Sequence, residues 1–233
     1  MAVVIDDVYQ KVLALANKEQ RGYITPQEFN LMANKAQLEI FDSYFHNYKT
    51  IDLKPKTSFT HGDELDMLEE KISTFRTSSS VIVAQGSGDI NFQTISPSIY
   101  RLKSVTTPNG QATQMNEKDV ITTETHPLTK SNKKRPIYTR LSNGITIYPT
   151  FTEESICVLV YYKRPTSPQW AYVVANGRAL YNSNLSVNFE LHPSEEEILV
   201  SKILQLSGVI IMKPEIIQAG GGMEQATKQE QND

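Results

Sequence analysis

The segment Gly22–Glu28 contains the residue types of the second half of a calcium-binding EF-hand loop. In that alignment loop positions one, three and five would be Asn17, Glu19 and Arg21, and the Arg21 guanidinium has no oxygen to offer a hard cation and adds repulsion beside it. The Thr25-Pro26-Gln27-Glu28 stretch is also a strong helix start, in which Glu28 reaches back to the cap residue. We therefore expect Glu28 to be a capping residue and expect no calcium site.

Other residue types with catalytic or metal-binding chemistry do not form a recognisable pattern. The four histidines are scattered without metal-ligand spacing, and Cys157 lies in an apolar run where a buried, inert thiol is expected. The sequence contains neither a Gly-x-Ser-x-Gly nucleophile turn nor a Walker-type phosphate loop. We predict a protein that is not an enzyme, with no catalytic residue, no metal and no cofactor.

Three charged or aromatic features are candidates for contacts with another molecule. The only basic cluster, Lys133-Lys134-Arg135, could touch nucleic acid or an acidic protein surface, although a solvated loop is slightly favoured over DNA binding. A proline-bounded loop, 163–170, carries the single tryptophan, which either marks an interface or, more often, covers the edge of a sheet. An acidic run opens the last helix. The candidate subunit-interface residues are Lys133, Lys134, Arg135, Trp170, Glu195, Glu196 and Glu197.

Apolar periodicity predicts helices at both ends of the chain. Stripes at spacings of three and four indicate helices at about 5–17, 26–48 and 63–75, and another at about 193–212. The last of these begins with a proline, a Ser-x-x-Glu capping box and clustered acids. Residues 219–233 have the composition of a flexible polar tail.

Between the helices, short β-branched and aromatic runs alternate with turn residues, which predicts a β domain over residues 78–190. Asn143-Gly144 and Asn176-Gly177 are the best hairpin signals. The predicted class is α+β, with N-terminal helices (1–77) and a C-terminal helical segment (191–233) packed together and an antiparallel, β-sandwich-like domain inserted between them.

Composition restricts the classes of function. The 233 residues are 39% apolar and 21% charged, with a net charge of −3, a single cysteine and no apolar run long enough to span a bilayer. The charge is unevenly distributed: residues 1–117 carry 11 basic and 14 acidic side chains, residues 118–178 carry 9 and 4, and residues 179–233 carry 3 and 8. A basic middle followed by an acidic end argues against a general nucleic-acid binder and is compatible with self-complementary association.

Three stretches together resemble virion structural proteins of short-tailed, crAss-like phages. They are residues 7–29, the Lys133–Tyr138 segment that leads to Asn143–Pro149, and the acid-capped C-terminal helix. The order of N-terminal helices, β domain and closing helix is also similar to that of podoviral head-tail connectors of the tail tubular protein A type. The resemblance covers most of the chain and carries no catalytic or ligand signature.

The resemblance implies a homo-oligomeric, usually dodecameric ring in the neck or tail of the virion, assembled in the cytoplasm of the host bacterium. Its partners would be the portal protein, adjacent tail or ring proteins, and genomic DNA that passes through the channel without sequence-specific binding. No membrane partner is expected. The alternative is a soluble accessory binding protein whose β domain recognises a host protein or glycan, with Tyr161, Tyr162, Tyr172 and Tyr181 as a possible platform.

Overall fold

The chain has the α+β class that its sequence predicts. The computed structural model describes residues 3–18, 24–52, 59–95, 99–175 and 177–210. The helices are α1 (Ile5–Lys18), α2 (Pro26–Asp52), α3 (Phe59–Ser73), α4 (Glu117–Thr125) and α5 (Glu196–Ile210). The strands are β1 (Arg76–Val83), β2 (Asp89–Asn91), β3 (Ile99–Thr107), β4 (Gly110–Gln114), β5 (Ile137–Arg140), β6 (Gly144–Tyr148), β7 (Ser155–Lys163), β8 (Tyr172–Ala175) and β9 (Arg178–Tyr181).

The chain divides into two compact units. The helical unit combines Met1–Thr74 with Pro165–Asp233, and the β unit is Phe75–Arg164. The predicted β domain extended to residue 190, so its last part, residues 165–190, instead belongs with the helices. The predicted tail at 219–233 lies outside the described residues.

The helical unit is held together by the apolar stripes of its helices. The stripe of α1 buries Ile5, Val8 and Val12 completely, and α5 packs against both α1 and α2. The stripe of α2 is buried over about four turns, and its members are Phe29, Ala33, Ala36, Ile40 and Tyr44. Since burying an aliphatic or aromatic side chain contributes about 1.5–3 kcal/mol, these stripes supply much of the stability of the unit.

Two side-chain amides of α2 tie residues 165–190 to the helical unit. Gln37 of α2 is fully buried; its Nε2 donates to Thr166 O at 2.8 Å, and its Oε1 accepts from Glu190 N at 3.1 Å. Asn30, two turns earlier on α2, binds both backbone groups of Trp170. Removing the backbone partner of a buried amide costs free energy, because the amide is left without its hydrogen bond. These bonds therefore fix residues 165–190 along α2.

The seven strands of the β unit form one sheet in the order β1-β7-β3-β4-β5-β6-β2, antiparallel except for the β4–β5 pair. A flat seven-stranded sheet would separate its edge strands by about 29 Å. Only Ala84–Gly88 connects those two edge strands, β1 and β2, and this connection can span at most about 20 Å. The sheet must therefore curl. One core lies inside it, with members from all seven strands, among them Val83, Ile90, Val105, Ala112, Tyr138, Ile147 and Leu159.

The Asn143-Gly144 signal correctly locates the β5–β6 hairpin, in which Arg140 pairs with Ile145. Gly144 does not have the positive φ expected of that turn; it begins β6, and a Cβ there would overlap Ile90 O of β2. The glycine is therefore required for close approach of two strands. Of the second signal, Asn176 lies outside the described residues, and Gly177 has a φ of 73°.

Candidate functional site

The basic cluster is fully available to a partner. Lys133, Lys134 and Arg135 are all exposed in the loop between α4 and β5. The Asn132 side chain fixes the turn, because its Oδ1 accepts from the backbone N–H groups of Lys134 and Arg135, both at 3.0 Å. The loop thus presents three positive charges on a defined backbone turn.

The acidic run Glu195–Glu197 is divided between three environments. Glu195 is 2% exposed, and its Oε1 lies 2.7 Å from Lys71 Nζ. Glu196 pairs with Lys11 at 2.6 Å on the surface, and Glu197 is exposed. Glu195 cannot serve as the interface residue that was predicted, because its charge is already paired inside the helical unit.

The cap at the start of α5 differs from the predicted one, and as a result the Glu195 side chain is buried in the helical unit. The expected Ser194–Glu197 capping box is replaced by a 3₁₀ turn, Pro193–Glu195, that precedes α5. Its cap is His192, whose ring Nδ1 accepts from Ser194 N at 3.3 Å. This extra turn directs Glu195 toward Lys71 and Tyr44. Burial raises the pKa of the Tyr44 hydroxyl, and the negative charge of Glu195 raises it further.

The prediction of Trp170 as a subunit-interface residue also needs correction, because its side chain is 2% exposed and packs inside its own chain. Its Nε1 donates to Asp6 Oδ1 at 2.9 Å. The centre of its ring lies 4.3 Å from the ring centre of Tyr9, 5.8 Å from that of Tyr172 and 5.7 Å from that of Tyr181. Trp170 is an anchor for the β8–β9 hairpin and offers little surface to another subunit.

The four tyrosines of the predicted platform are divided between the two units. Tyr161 is buried in the β-unit core, where its hydroxyl lies 3.1 Å from Ser79 Oγ. Tyr172 and Tyr181 are directly paired across β8 and β9 and stack on Trp170. Tyr162 lies on the outer side of β7, with Lys103 Nζ 5.9 Å from the centre of its ring.

A surface that the sequence reasoning missed lies on the β8–β9 hairpin, which we call the arm. Val173 and Leu180 are register partners on the side of the arm opposite the paired tyrosines, and they are 54% and 56% exposed. Val174 is 66% exposed. The sequence signal for this surface is the pair of apolar runs, Val-Val and Ala-Leu, on either side of Asn176-Gly177. Apolar runs in predicted strands are usually assigned to a core, so they do not indicate an exposed surface.

A second apolar surface lies on the outside of β1 and β7, which we call the outer stripe. Ile82 and Ile156 are register partners and are 65% and 59% exposed. Val158, Val160 and Tyr162 continue the stripe along β7 and are half-buried. The continuous apolar run 156–160 indicated it, because a strand with apolar residues at every position has two apolar faces.

One groove of the β unit is lined by polar and apolar groups together. Its volume is about 240 Å³, and its wall includes Lys133 from the basic cluster as well as Asn109, Phe151 and Glu153. Lysine, amide and carboxylate groups around a partly apolar floor suit a small polar ligand.

Within the described residues, no group of three His, Cys, Asp or Glu side chains is arranged to hold a metal ion. Burial raises the pKa of Cys157 to about 11, so its thiol stays protonated and inert near neutral pH. No helix in the part of the chain that the structure describes is both long and apolar enough to cross a membrane. In comparisons with known proteins, the chain matches no protein-family model and no curated protein.

Proposed function

We propose that this chain is a virion structural protein of a short-tailed phage. It would be one subunit of a dodecameric head-tail connector or tail ring that joins the portal to the tail and surrounds the DNA exit channel. In this proposal, the helical unit built from both chain ends forms the ring scaffold, and the curled β unit has the role of the inserted sandwich-like domain.

The observation that supports the proposal best is the separation of charge between the two units. The helical unit carries 12 basic and 20 acidic side chains, a net charge of −8, and the β unit carries 11 and 6, a net charge of +5. A ring requires head-to-tail contacts, in which one face of a subunit complements a different face of its neighbour. Oppositely charged units on one chain suit such contacts, because each unit can face the opposite unit of a neighbour.

The basic cluster and the last helix supply specific candidates for this contact. Lys133, Lys134 and Arg135 are exposed on the positive unit, and Glu197 is exposed on the negative one. Glu196 is partly exposed beside its Lys11 partner. We propose that the basic cluster of one subunit faces the Glu196–Glu197 helix start of the next subunit or ring.

Cryo-electron microscopy of purified virions of the phage that encodes the chain tests the proposal. We expect ring density in the neck or tail into which the helical and β units fit as separate bodies. Mass spectrometry of the same particles should detect the chain at a copy number comparable to that of the portal. Absence of the chain from neck and tail in intact particles would falsify the assignment.

The groove of the β unit favours a second candidate, an accessory binding protein that recognises a host protein or glycan. Asn109 and Glu153 could bind sugar hydroxyls, and Phe151 could pack against the apolar face of a sugar ring. A glycan array with the native chain and an Asn109→Ala/Glu153→Ala variant tests this function. Binding by the native chain that the double variant loses supports it, and absence of binding counts against it.

A further inference from the structure

We infer that the arm of one copy docks onto the outer stripe of a second copy of the same chain, with the Val173–Leu180 pair packed on the Ile82–Ile156 pair. This inference rests on the proposed function, since it supplies the apolar part of the head-to-tail contact. It adds a pair of surfaces that neither the basic cluster nor the acidic helix start provides.

The arm is built to meet a partner. In the described part of the chain, β8 and β9 pair only with each other, so each has an outer edge without a neighbouring strand. An isolated two-stranded hairpin is marginally stable in water, and here one side is fixed by the stacking of Tyr172 and Tyr181 on Trp170. The other side presents Val173 and Leu180 to solvent.

The outer stripe is a complementary surface for such an arm. Ile82 and Ile156 lie directly opposite each other on neighbouring strands, as Val173 and Leu180 do. Hydroxyl side chains flank the half-buried part of the stripe, where Ser80 and Thr106 are both register partners of Val158. Two aliphatic cross-strand pairs can pack face to face in the manner of two sheet layers.

Charge identifies a second copy as the occupant and sets the orientation. The only charged side chain of the arm is Arg178, which is exposed, and the exposed Glu153 and Glu154 immediately precede β7, the strand that carries Ile156. Arm-to-arm contact would bring two arginines together, and stripe-to-stripe contact would bring two pairs of glutamates together. Arm-to-stripe contact instead places opposite charges side by side. It leaves a free stripe on one copy and a free arm on the other, so the association can continue from copy to copy until a ring closes.

Cysteine cross-linking tests both the contact and its orientation. The native chain is a suitable background because its only cysteine, Cys157, is completely buried. Val173→Cys and Ile156→Cys chains are prepared separately, mixed at low salt and treated with a short bismaleimide cross-linker. We expect a covalent dimer in the mixture and only monomer from either variant alone, whereas the double variant should give a ladder of oligomers.

Two matched controls separate docking from random collision. Leu128→Cys replaces a 96% exposed leucine of the β unit, and Leu31→Cys a 74% exposed leucine of the helical unit. Mixtures in which either control replaces its counterpart should give about ten-fold less dimer than the Val173→Cys/Ile156→Cys mixture. Leu180→Glu added to the Val173→Cys chain should lower the yield similarly, since a buried carboxylate at the contact is costly.

Several outcomes overturn the inference. Equal yields from the mixture and the controls, or no product, exclude arm-to-stripe docking. Dimers from Val173→Cys alone indicate a symmetric arm-to-arm contact instead. The result can be separated from the virion assignment. A ring in the neck without these cross-links supports the proposed function and excludes arm-to-stripe docking. Cross-links without density in the neck support the docking and exclude the proposed function.

Discussion

Glu195 and Glu196 are adjacent in sequence and lie in opposite environments, which allows a matched pair of substitutions. Glu195 is buried with Lys71, and Glu196 meets Lys11 at the surface. Glu195→Ala leaves the Lys71 ammonium buried without a counter-charge, so we expect a loss of about 3–5 kcal/mol in the free energy of unfolding. Urea denaturation followed by Trp170 fluorescence measures it.

Glu196→Ala is the control for that experiment. Because its ion pair is solvated, its removal should change the free energy of unfolding by less than about 1 kcal/mol. A Lys71→Met/Glu195→Leu double variant should recover much of the stability that Glu195→Ala loses, since it removes both charges. Equal losses for Glu195→Ala and Glu196→Ala would contradict the buried pair.

The stability of the start of α2 depends on pH through the Glu28 carboxylate. Thr25 N donates to Glu28 Oε2 at 2.9 Å, and Glu28 N donates to Thr25 Oγ1 at 3.3 Å, which completes the predicted capping box. The bonds from the Thr25 backbone and hydroxyl lower the pKa of Glu28 below its ordinary value of 4.5. Its contribution is therefore full at neutral pH and is lost as the pH falls through the lowered pKa.

We expect Glu28→Ala to lower the Tm by a constant amount above a pH of about 5 and by a shrinking amount below it. Thermal unfolding by circular dichroism from neutral to acidic pH measures the difference. Gln27→Ala, at an exposed neighbouring position, is the control and should show no such pH dependence. A Glu28→Ala difference that persists in acid would show that the carboxylate charge is not involved.

Elements that depend on local pattern could be predicted from the sequence, whereas those that depend on a distant partner could not. The stripe and cap of α2 are local, and α2 begins at the predicted Pro26. Thr77–Ser80 has the composition of a linker, yet it lies within β1, because β7 pairs with β1 along its full length. The end of the predicted β domain, residues 187–190, forms isolated bridges and no named strand, with Val187 bridged to Gln169 and Phe189 to Val3.

The residues of the candidate site also divide into those that local sequence predicts and those that depend on a distant partner. Exposure of the basic cluster follows from its composition, since three adjacent cations are rarely buried. Burial of Trp170 and Glu195 depends on Asp6 and Lys71, which are more than a hundred residues away in sequence. Such pairings carry no local signal.

At the scale of the whole molecule, the opposite charges of the two units predict salt-sensitive association. Reversal of Lys133, Lys134 and Arg135 to glutamate should weaken self-association at low salt, measured by analytical ultracentrifugation or by the yield of the Val173→Cys/Ile156→Cys cross-link. Reversal of Lys118, Lys130 and Arg140, which are exposed on the same unit, makes the same change in net charge and is the control. If both triple variants weaken association equally, only the net charge of the β unit matters and the loop has no specific contact.

The interleaving of the units also fixes an order of events during synthesis on the ribosome. The β unit is one continuous stretch, Phe75–Arg164, whereas the helical unit needs residues from both sides of it. α1, α2 and α3 therefore emerge first, and the apolar faces of α1 and α2 that contact α5 lack their partner until α5 has been made. We expect residues 75–164 expressed alone to show cooperative unfolding and residues 1–74 alone to lack it. The nascent chain would then be most in need of a chaperone during the interval in which the β unit is translated.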